Sequence, residues 1–349
     1  MEAPKIQANI IFSQHVAKEL TKIVQNYPQK KIFLLTETTP QELCLPRIQS
    51  VIDEFDIRVL CIGGGEDNKS IASCEKVWQE LSMHGADRKS LLINIGGGMI
   101  TDLGGFVAST FKRGMDFVNI PTTLLSQVDA SLGGKTGVNF GGLKNEIGVF
   151  NEPMAVIIDT NFLRTIDHAN VLSGYAEMIK HGLIKSPEHL AELKQFNLEQ
   201  LDYVELERLI AQSNAIKEWH VINDFRESGI RKALNFGHTV GHAFESFALH
   251  EGQPILHGHA VAYGMMAELY LSTKVCAFPE KEFQLLCTWL TSIYGKFEIK
   301  EEHCNELIEL MTHDKKNSAG QINFTLLSAI GEVQINQHCS HEMLKEAII

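Results

Sequence analysis

Between residues 235 and 259 the chain carries Asn235-Phe236-Gly237-His238-Thr239-Val240-Gly241-His242 and then His257-Gly258-His259, and five of its fifteen histidines fall between positions 238 and 259. His238 and His242 are four residues apart, so on a helix they share one face. Neutral imidazoles suit zinc or a similar divalent ion, and one carboxylate would complete a three-ligand site with a position left open for substrate. Glu177, in the run Ser173 to Lys180, is the carboxylate candidate, because it interrupts an otherwise apolar helical pattern. The competing use of such a histidine is proton transfer.

Two further segments have the composition of phosphate sites. Leu91 to Ile95 is an apolar run followed by Gly96-Gly97-Gly98 and Met99-Ile100-Thr101-Asp102. A strand that runs through glycines into a helix lets the backbone approach a pyrophosphate and aims the helix N–H groups at it. The spacing is not GxGxxG, so a tight structural turn stands beside the nucleotide reading. The second segment follows Pro121-Thr122-Thr123 and holds Gln127 to Gly137 and Gly141 to Gly148, with Lys135, Lys144 and several hydroxyls. It reads as a loop that offers donors to phosphate oxygens, or as a mobile surface loop.

The elements that must position these groups change character along the chain. Ile32 to Leu35, Arg58 to Ile62, Leu91 to Ile95, Phe117 to Ile120 and Ala155 to Ile158 are short β-rich runs, with helical patterns such as Ser70 to His84 and Thr101 to Lys112 between them. Near-continuous apolar strands alternating with helices predict a parallel sheet covered on both faces. From Leu172 to Ile184, Leu206 to Val221, His238 to Leu249, Ala260 to Val275, Lys281 to Tyr294 and Glu302 to Thr312 the periodicity is helical, and Gln321 to Leu327 alone is clearly β-like. The expected fold is therefore α/β: a Rossmann-like nucleotide-binding domain over residues 1–160, then a mostly α-helical metal- and substrate-binding domain over 161–349.

The 349 residues carry a formal net charge of −12, with 44% apolar and 21% charged residues. An acidic chain is a poor nucleic-acid binder. No apolar run reaches membrane-spanning length, and Met1 to Gln14 lacks the basic start and apolar stretch of a signal peptide. The expected setting is the cytoplasm. Seven dispersed cysteines without a CxxC pair fit reduced thiols.

Taken in order, GGGMITD, PTTLLSQVDASLGGKTG, LKNEIG, SGYAEMIKHGL, RKALNFGHTVGHAFE, LHGHAVAYGM and DKK resemble the motifs of the 3-dehydroquinate synthase family, over about residue 60 to residue 332. The resemblance implies an enzyme that turns 3-deoxy-D-arabino-heptulosonate 7-phosphate into 3-dehydroquinate and phosphate. The family does so by transient oxidation with tightly held NAD, β-elimination of phosphate, reduction, ring opening and intramolecular aldol closure. The implied metal ligands are Glu177, His238 and His257, with zinc as the metal or cobalt in its place. His242 resembles the non-ligand histidine of the proton relay, and Glu227 its partner. The implied NAD contacts are Glu37, Glu66, Lys69, Gly97, Gly98, Met99, Asp102, Thr122, Thr123, Lys135, Lys144 and the stretch Phe162, Leu163, Arg164 and Thr165. Substrate contacts carry over to Asp129, Lys135, Asn145, Lys180, Lys217, Arg231, Asn235 and one of Lys315 and Lys316. Arg113 resembles an arginine that reaches the neighbouring subunit's substrate phosphate, which implies a homodimer.

The chain departs from the family pattern at three points. His259 stands where many members have glutamate; its two-residue offset from His257 turns it away on a helix. Asp224-Phe225-Arg226-Glu227 replaces a more acidic run but keeps the outer acid. The segment between His242 and His257 differs in length. The rival readings are a sugar phosphate cyclase acting on a substrate without a carboxylate, such as sedoheptulose 7-phosphate, and a metal-dependent polyol dehydrogenase. Arg231, Asn235 and Lys217 favour the acid, since a buried cation clamp left unpaired is costly.

Overall fold

The computed structural model describes residues 8–141, 143–312 and 322–349. Its contacts divide the chain into two units, one of Met1–Asp167 with Asp202–Ala211, the other of His168–Leu201 with Gln212–Ile349.

The first unit contains strands β1 (Asn9–Phe12), β2 (Ile32–Glu37), β3 (Arg58–Ile62), β4 (Leu91–Gly96), β5 (Asp116–Pro121), β6 (Lys135–Phe140), β7 (Leu143–Phe150) and β8 (Ala155–Ile158). Helices α1 (Val16–Val24), α2 (Thr38–Leu43), α3 (Gln49–Phe55), α4 (Ile71–Met83) and α5 (Gly98–Thr110) lie between them in the chain. Six strands pair in the order β1-β8-β5-β4-β2-β3, every pair parallel. Side chains alternate across a strand, and here both faces are dry. Ile32, Leu34, Ile93, Val118 and Ile157 join the core under α1 and α3, while Phe33, Leu35, Leu92 and Phe117 join the core under α4 and α5. This is why the strands read as unbroken apolar runs.

The glycine-rich segment read above as a loop is instead an antiparallel ribbon of β6 and β7, with Gly137 opposite Gly148. Thr136, Val138, Ile147 and Val149 turn to the α5 side, and Val138 is fully buried. The period-two pattern was present, but glycines and lysines diluted it. A side chain at Gly137 would stand 2.6 Å from the Ile147 carbonyl, so glycine is what lets the strands close.

The second unit is mostly helical: α6 (His168–Lys185), α7 (Pro187–Gln195), α8 (Tyr203–Asn223, whose first turns count with the first unit), α9 (His238–His250), α10 (His257–Val275), α11 (Glu280–Tyr294), α12 (Cys304–Thr312) and α13 (His341–Ile348). Its one described sheet is the antiparallel pair β9 (Phe324–Ala329) and β10 (Glu332–Gln337). α9 and α10 pack on α12, α13 and β9 through Val240, Phe244, Phe247, Leu271, Leu307, Phe324 and Leu344. No helix of the described residues is long and apolar enough to cross a membrane. All seven cysteines are free.

Candidate functional site

In an open parallel sheet, ligands bind beyond the carboxyl ends of the strands where the strand order reverses. After β2 the chain builds β3 on one side and then β4 on the other, so the reversal falls between β2 and β4. Glu37 ends β2, and Gly96 ends β4. Gly97 is the N-cap of α5 and offers no side chain to the helix's open N–H groups. A methyl group at Gly98 would lie 3.0 Å from the Ala130 Cβ, and one at Gly97 3.3 Å from the Thr123 side chain. The Thr122 N–H donates to Gly96 O at 2.9 Å, which brings the Pro121-Thr122-Thr123 turn beside the glycines. Backbone donors with no side chain in the way are the arrangement a pyrophosphate needs, so these residues fit a dinucleotide.

Around this turn the chain gathers charge. Lys69, 4% exposed, donates to Asp102 Oδ2 at 2.6 Å and to Asn145 Oδ1 at 2.5 Å. Asn139 Nδ2 donates to Glu66 Oε1 at 2.9 Å, and the Asn145 N–H to Asn139 Oδ1 at 2.8 Å. The ribbon therefore joins Glu66, Lys69, Asp102 and Asn145, with Asn145 in the left-handed region at φ 51°. Burial pushes the Glu37 carboxyl up, against a hydrogen bond from the Gly65 N–H at 3.3 Å. Lys135 and Lys144 are exposed on the ribbon, and Asp129 lies in the π-helical turn Ser126–Ala130. Phe162 and Leu163 place their side chains in the core, so a ligand contact from that stretch falls to its backbone or to Arg164 and Thr165. Met99 is buried likewise.

Arg113 is exposed in the short turn after α5. It and Lys112 take φ values of 69° and 49°, a costly conformation for residues with a side chain. Arg88 Nε holds the turn by donating to Lys112 O at 2.9 Å, as does Lys112 Nζ to Ala86 O at 2.8 Å.

In the second unit three helices meet closely enough to bring side chains together. A methyl group at Gly258 would stand 1.9 Å from Ser173 O, and one at Gly264 2.0 Å from Gly237 O. Glycine thus lets α10 touch the backbone of α6 at one end and of the α9 start further along. The N–H groups opening α9 are satisfied by Glu268 of α10, fully buried, which accepts from Gly237 at 2.6 Å, Thr239 at 3.1 Å and Val240 at 3.2 Å.

The consequence is convergence. His238, His242 and His257 bring ring nitrogens within 4.8 Å of one another. Glu177 is fully buried; its Oε1 accepts no hydrogen bond among the described residues, yet it lies 3.6 Å from His238 Nε2 and 3.8 Å from His257 Nε2. Its Oε2 is ion-paired with Lys180, itself 1% exposed. Each of the two imidazoles faces Glu177 with Nε2 and has an acceptor at Nδ1: Phe236 O at 3.2 Å for His238, and Glu245 Oε2 at 3.2 Å for His257. Ligand atoms about 2.1 Å from a tetrahedral zinc stand about 3.4 Å apart, close to the spacing here. The residues present therefore fit a divalent metal. His259 turns away and packs edge-on against Tyr294, at 5.5 Å between ring centres. Burial, with His168 nearby, holds its pKa below the ordinary value.

The same unit carries the groups expected to meet substrate. Arg231 is 1% exposed, and its Nη1 donates to Phe225 O at 2.7 Å. Asp224 shapes that turn by accepting from the N–H groups of Ser228, Gly229 and Arg231. Burial opposes its charge, but these bonds outweigh burial and hold the carboxyl below its ordinary pKa. Asn235 Nδ2 donates to Glu227 Oε1 at 2.6 Å, with Glu227 left-handed at φ 59°. Lys217 is buried on α8. Lys315 and Lys316 lie outside the described residues.

Sequence reasoning passed over Glu245 and Glu268. Both carry the signal that marked out Glu177, an acid inside an apolar helical run, and the same rule applied to α9 and α10 finds them.

Two solved structures share this architecture. One is a 2-epi-5-epi-valiolone synthase from Streptomyces hygroscopicus with NAD+ and Zn2+ bound, at a TM-score of 0.88 and 22% identity, covering 100% of this chain and 97% of that one. The other is a 2-deoxy-scyllo-inosose synthase complexed with carbaglucose-6-phosphate, NAD+ and Co2+, at 0.86 and 23%, covering 98% and 96%. The fold is that of the sugar phosphate cyclases. Residues 59–173 match the 3-dehydroquinate synthase N-terminal family and residues 174–317 the 3-dehydroquinate synthase C-terminal family. A 3-dehydroquinate synthase of Parabacteroides distasonis is 47% identical over 342 residues, which is 98% of this chain and 97% of that protein. The chain belongs to the 3-dehydroquinate synthase family.

Proposed function

We propose that the chain converts 3-deoxy-D-arabino-heptulosonate 7-phosphate to 3-dehydroquinate and phosphate, with NAD regenerated at each turnover and one divalent ion, zinc ahead of cobalt. The observation that carries this reading is the pair His238 and His257, each with Nδ1 on an acceptor and Nε2 facing the buried Glu177 carboxylate. When bound, NAD supplies a reversible hydride acceptor and the metal a Lewis acid for a substrate hydroxyl.

The chain's own residues divide the remaining work. Residues 1–160 form the NAD-binding domain, using Gly97, Gly98, Thr122 and Thr123 for the pyrophosphate, Glu37 for a ribose, and Glu66, Lys69, Asp102 and Lys144 around them. Residues 161–349 hold the metal through Glu177, His238 and His257. The Arg231 fork takes the substrate carboxylate, with Lys180, Lys217 and Asn235 completing that end. His242, paired with Glu227, holds or releases a proton at a ring nitrogen. Asp129, Lys135, Asn145 and one of Lys315 and Lys316 hold the polar remainder of the substrate. The same reading includes a cytoplasmic homodimer in which Arg113 reaches the partner's substrate phosphate.

The test is phosphate release. With NAD and Zn2+ or Co2+, the protein should release one phosphate per 3-dehydroquinate formed and ignore sedoheptulose 7-phosphate. A preference for the sedoheptulose would leave a sugar phosphate cyclase but overturn this substrate.

A further inference from the structure

We propose that Glu245 is a positioning residue that sets the metal affinity of the second unit's centre by fixing His257, an inference that rests on the ligand set proposed above. Glu245 lies seven residues beyond His238 and three beyond His242, so all three share a stripe of α9. The rest of that stretch is core: Val240, Ala243, Phe244, Phe247 and Ala248 are buried. An acid among them is costly unless it has a partner, and Glu245, 9% exposed, meets His257 Nδ1 at 3.2 Å.

The chemistry of the pair is directional. A carboxylate only accepts, so the one proton of a neutral imidazole is drawn to Nδ1. The lone pair is then left on Nε2, the atom that faces Glu177. His257 needs such a hold, because it is the first residue of α10 and its side chain is 28% exposed, against 11% for His238. His238 has its own Nδ1 fixed by a backbone carbonyl, which no substitution removes. Glu245 does the same work for His257 with a side chain, and so it is the adjustable half of the arrangement. Carboxylate partners of this kind typically change metal affinity by roughly 10–100-fold.

The experiment measures metal affinity directly. Metal-free wild type, Glu245→Gln, Glu245→Ala, Glu177→Ala and His257→Ala are titrated with Zn2+ against a chromophoric chelator. Each is also loaded with Co2+ for its visible absorption spectrum, while NAD affinity and metal-free melting temperature serve as controls. Glu245→Ala should bind Zn2+ roughly 10–100-fold more weakly with an altered Co2+ spectrum. Glu245→Gln, whose amide oxygen can still accept from Nδ1, should recover much of the affinity. NAD affinity should not move. If Glu245→Ala binds Zn2+ like wild type while Glu177→Ala and His257→Ala lose it, the ligand set stands and the role of Glu245 is wrong. If Glu245→Gln is as weak as the alanine variant, the loss comes from charge and orientation is overturned. If Glu177→Ala and His257→Ala keep wild-type affinity, the ligand set itself falls and takes this inference with it.

Discussion

Arg231 is as buried as a core leucine, and a guanidinium is tolerated there because the turn around it is built to hold it. Phe225 O takes one of its donors, and Asp224 fixes the backbone that leads into it by accepting from the Gly229 and Arg231 N–H groups. Arg231→Ala should lower kcat/KM for the heptulosonate roughly ten- to a hundredfold, since a hydrogen bond to a charged group contributes about 1.5–3 kcal/mol. Phosphate-release kinetics read this, and Arg231→Lys should not restore it, because lysine lacks the fork. Lys69 is proposed for the NAD site and calls for another measurement. Lys69→Met should weaken NAD binding about tenfold or more by stripping Asp102 and Asn145 of their shared cation. An unchanged dissociation constant for NAD would remove Lys69 from that site. Residue chemistry of this kind was legible where the type was out of place: histidines at helical spacing and a glutamate in an apolar run. It was not legible for Lys69 meeting Asn145, because 76 residues separate them and only the folded ribbon brings them together.

At the scale of elements, the proposed metal centre depends on how closely α6, α9 and α10 approach. Gly264 tests this with opposed terms. Alanine is the better helix former by about 1 kcal/mol, but its methyl would lie 2.0 Å from Gly237 O and 2.6 Å from Gly241 N, and both are backbone atoms with little freedom to yield. The clash wins. Gly264→Ala should lower the melting temperature of the metal-free protein, with overpacking of about 1–3 kcal/mol, and weaken zinc binding by spreading His238 from His257. A variant as stable and as zinc-avid as wild type would show that α9 and α10 tolerate a wider spacing. The sheet strands and the long helices were legible because burial on one or both faces writes its period into the sequence. Strand β1, a short four-residue edge, the β6–β7 ribbon and β10, the second strand of the helical unit's pair, were missed. The ribbon packs one face only, and its glycines serve close backbone approach rather than a turn. The glycine contacts at Gly258 and Gly264 were hidden too, since nothing in a glycine says which backbone it will meet.

For the whole molecule, the proposal for Arg113 predicts a shared site. Arg113→Ala and Glu177→Ala should each be inactive alone. In a mixed dimer one site inherits both changes and the other neither, so mixing under exchange conditions should restore activity up to about a quarter of wild type under random assortment. No recovery, with subunit exchange confirmed by mass, would mean that Arg113 serves its own chain or no substrate. The strained turn at Lys112 and Arg113, held by Arg88, is a conformation that a merely solvated arginine has no need of.

The pairing of β1 with β8 sets a timetable for synthesis. Asn9 finds its parallel neighbour only when Ala155 has left the ribosome, and at about 5–20 residues per second that is on the order of ten to thirty seconds. The first unit then still lacks Asp202–Ala211, which supplies Leu206, Leu209 and Ile210 as buried side chains, Glu207 as acceptor for Thr160 and Tyr203 as the ring beneath Arg164. Until those residues emerge, all six strands of the sheet have been made, but the first unit still lacks these buried side chains and the contacts of Glu207 and Tyr203. At this stage the incompletely packed first unit still exposes apolar surface, which is what a chaperone shields.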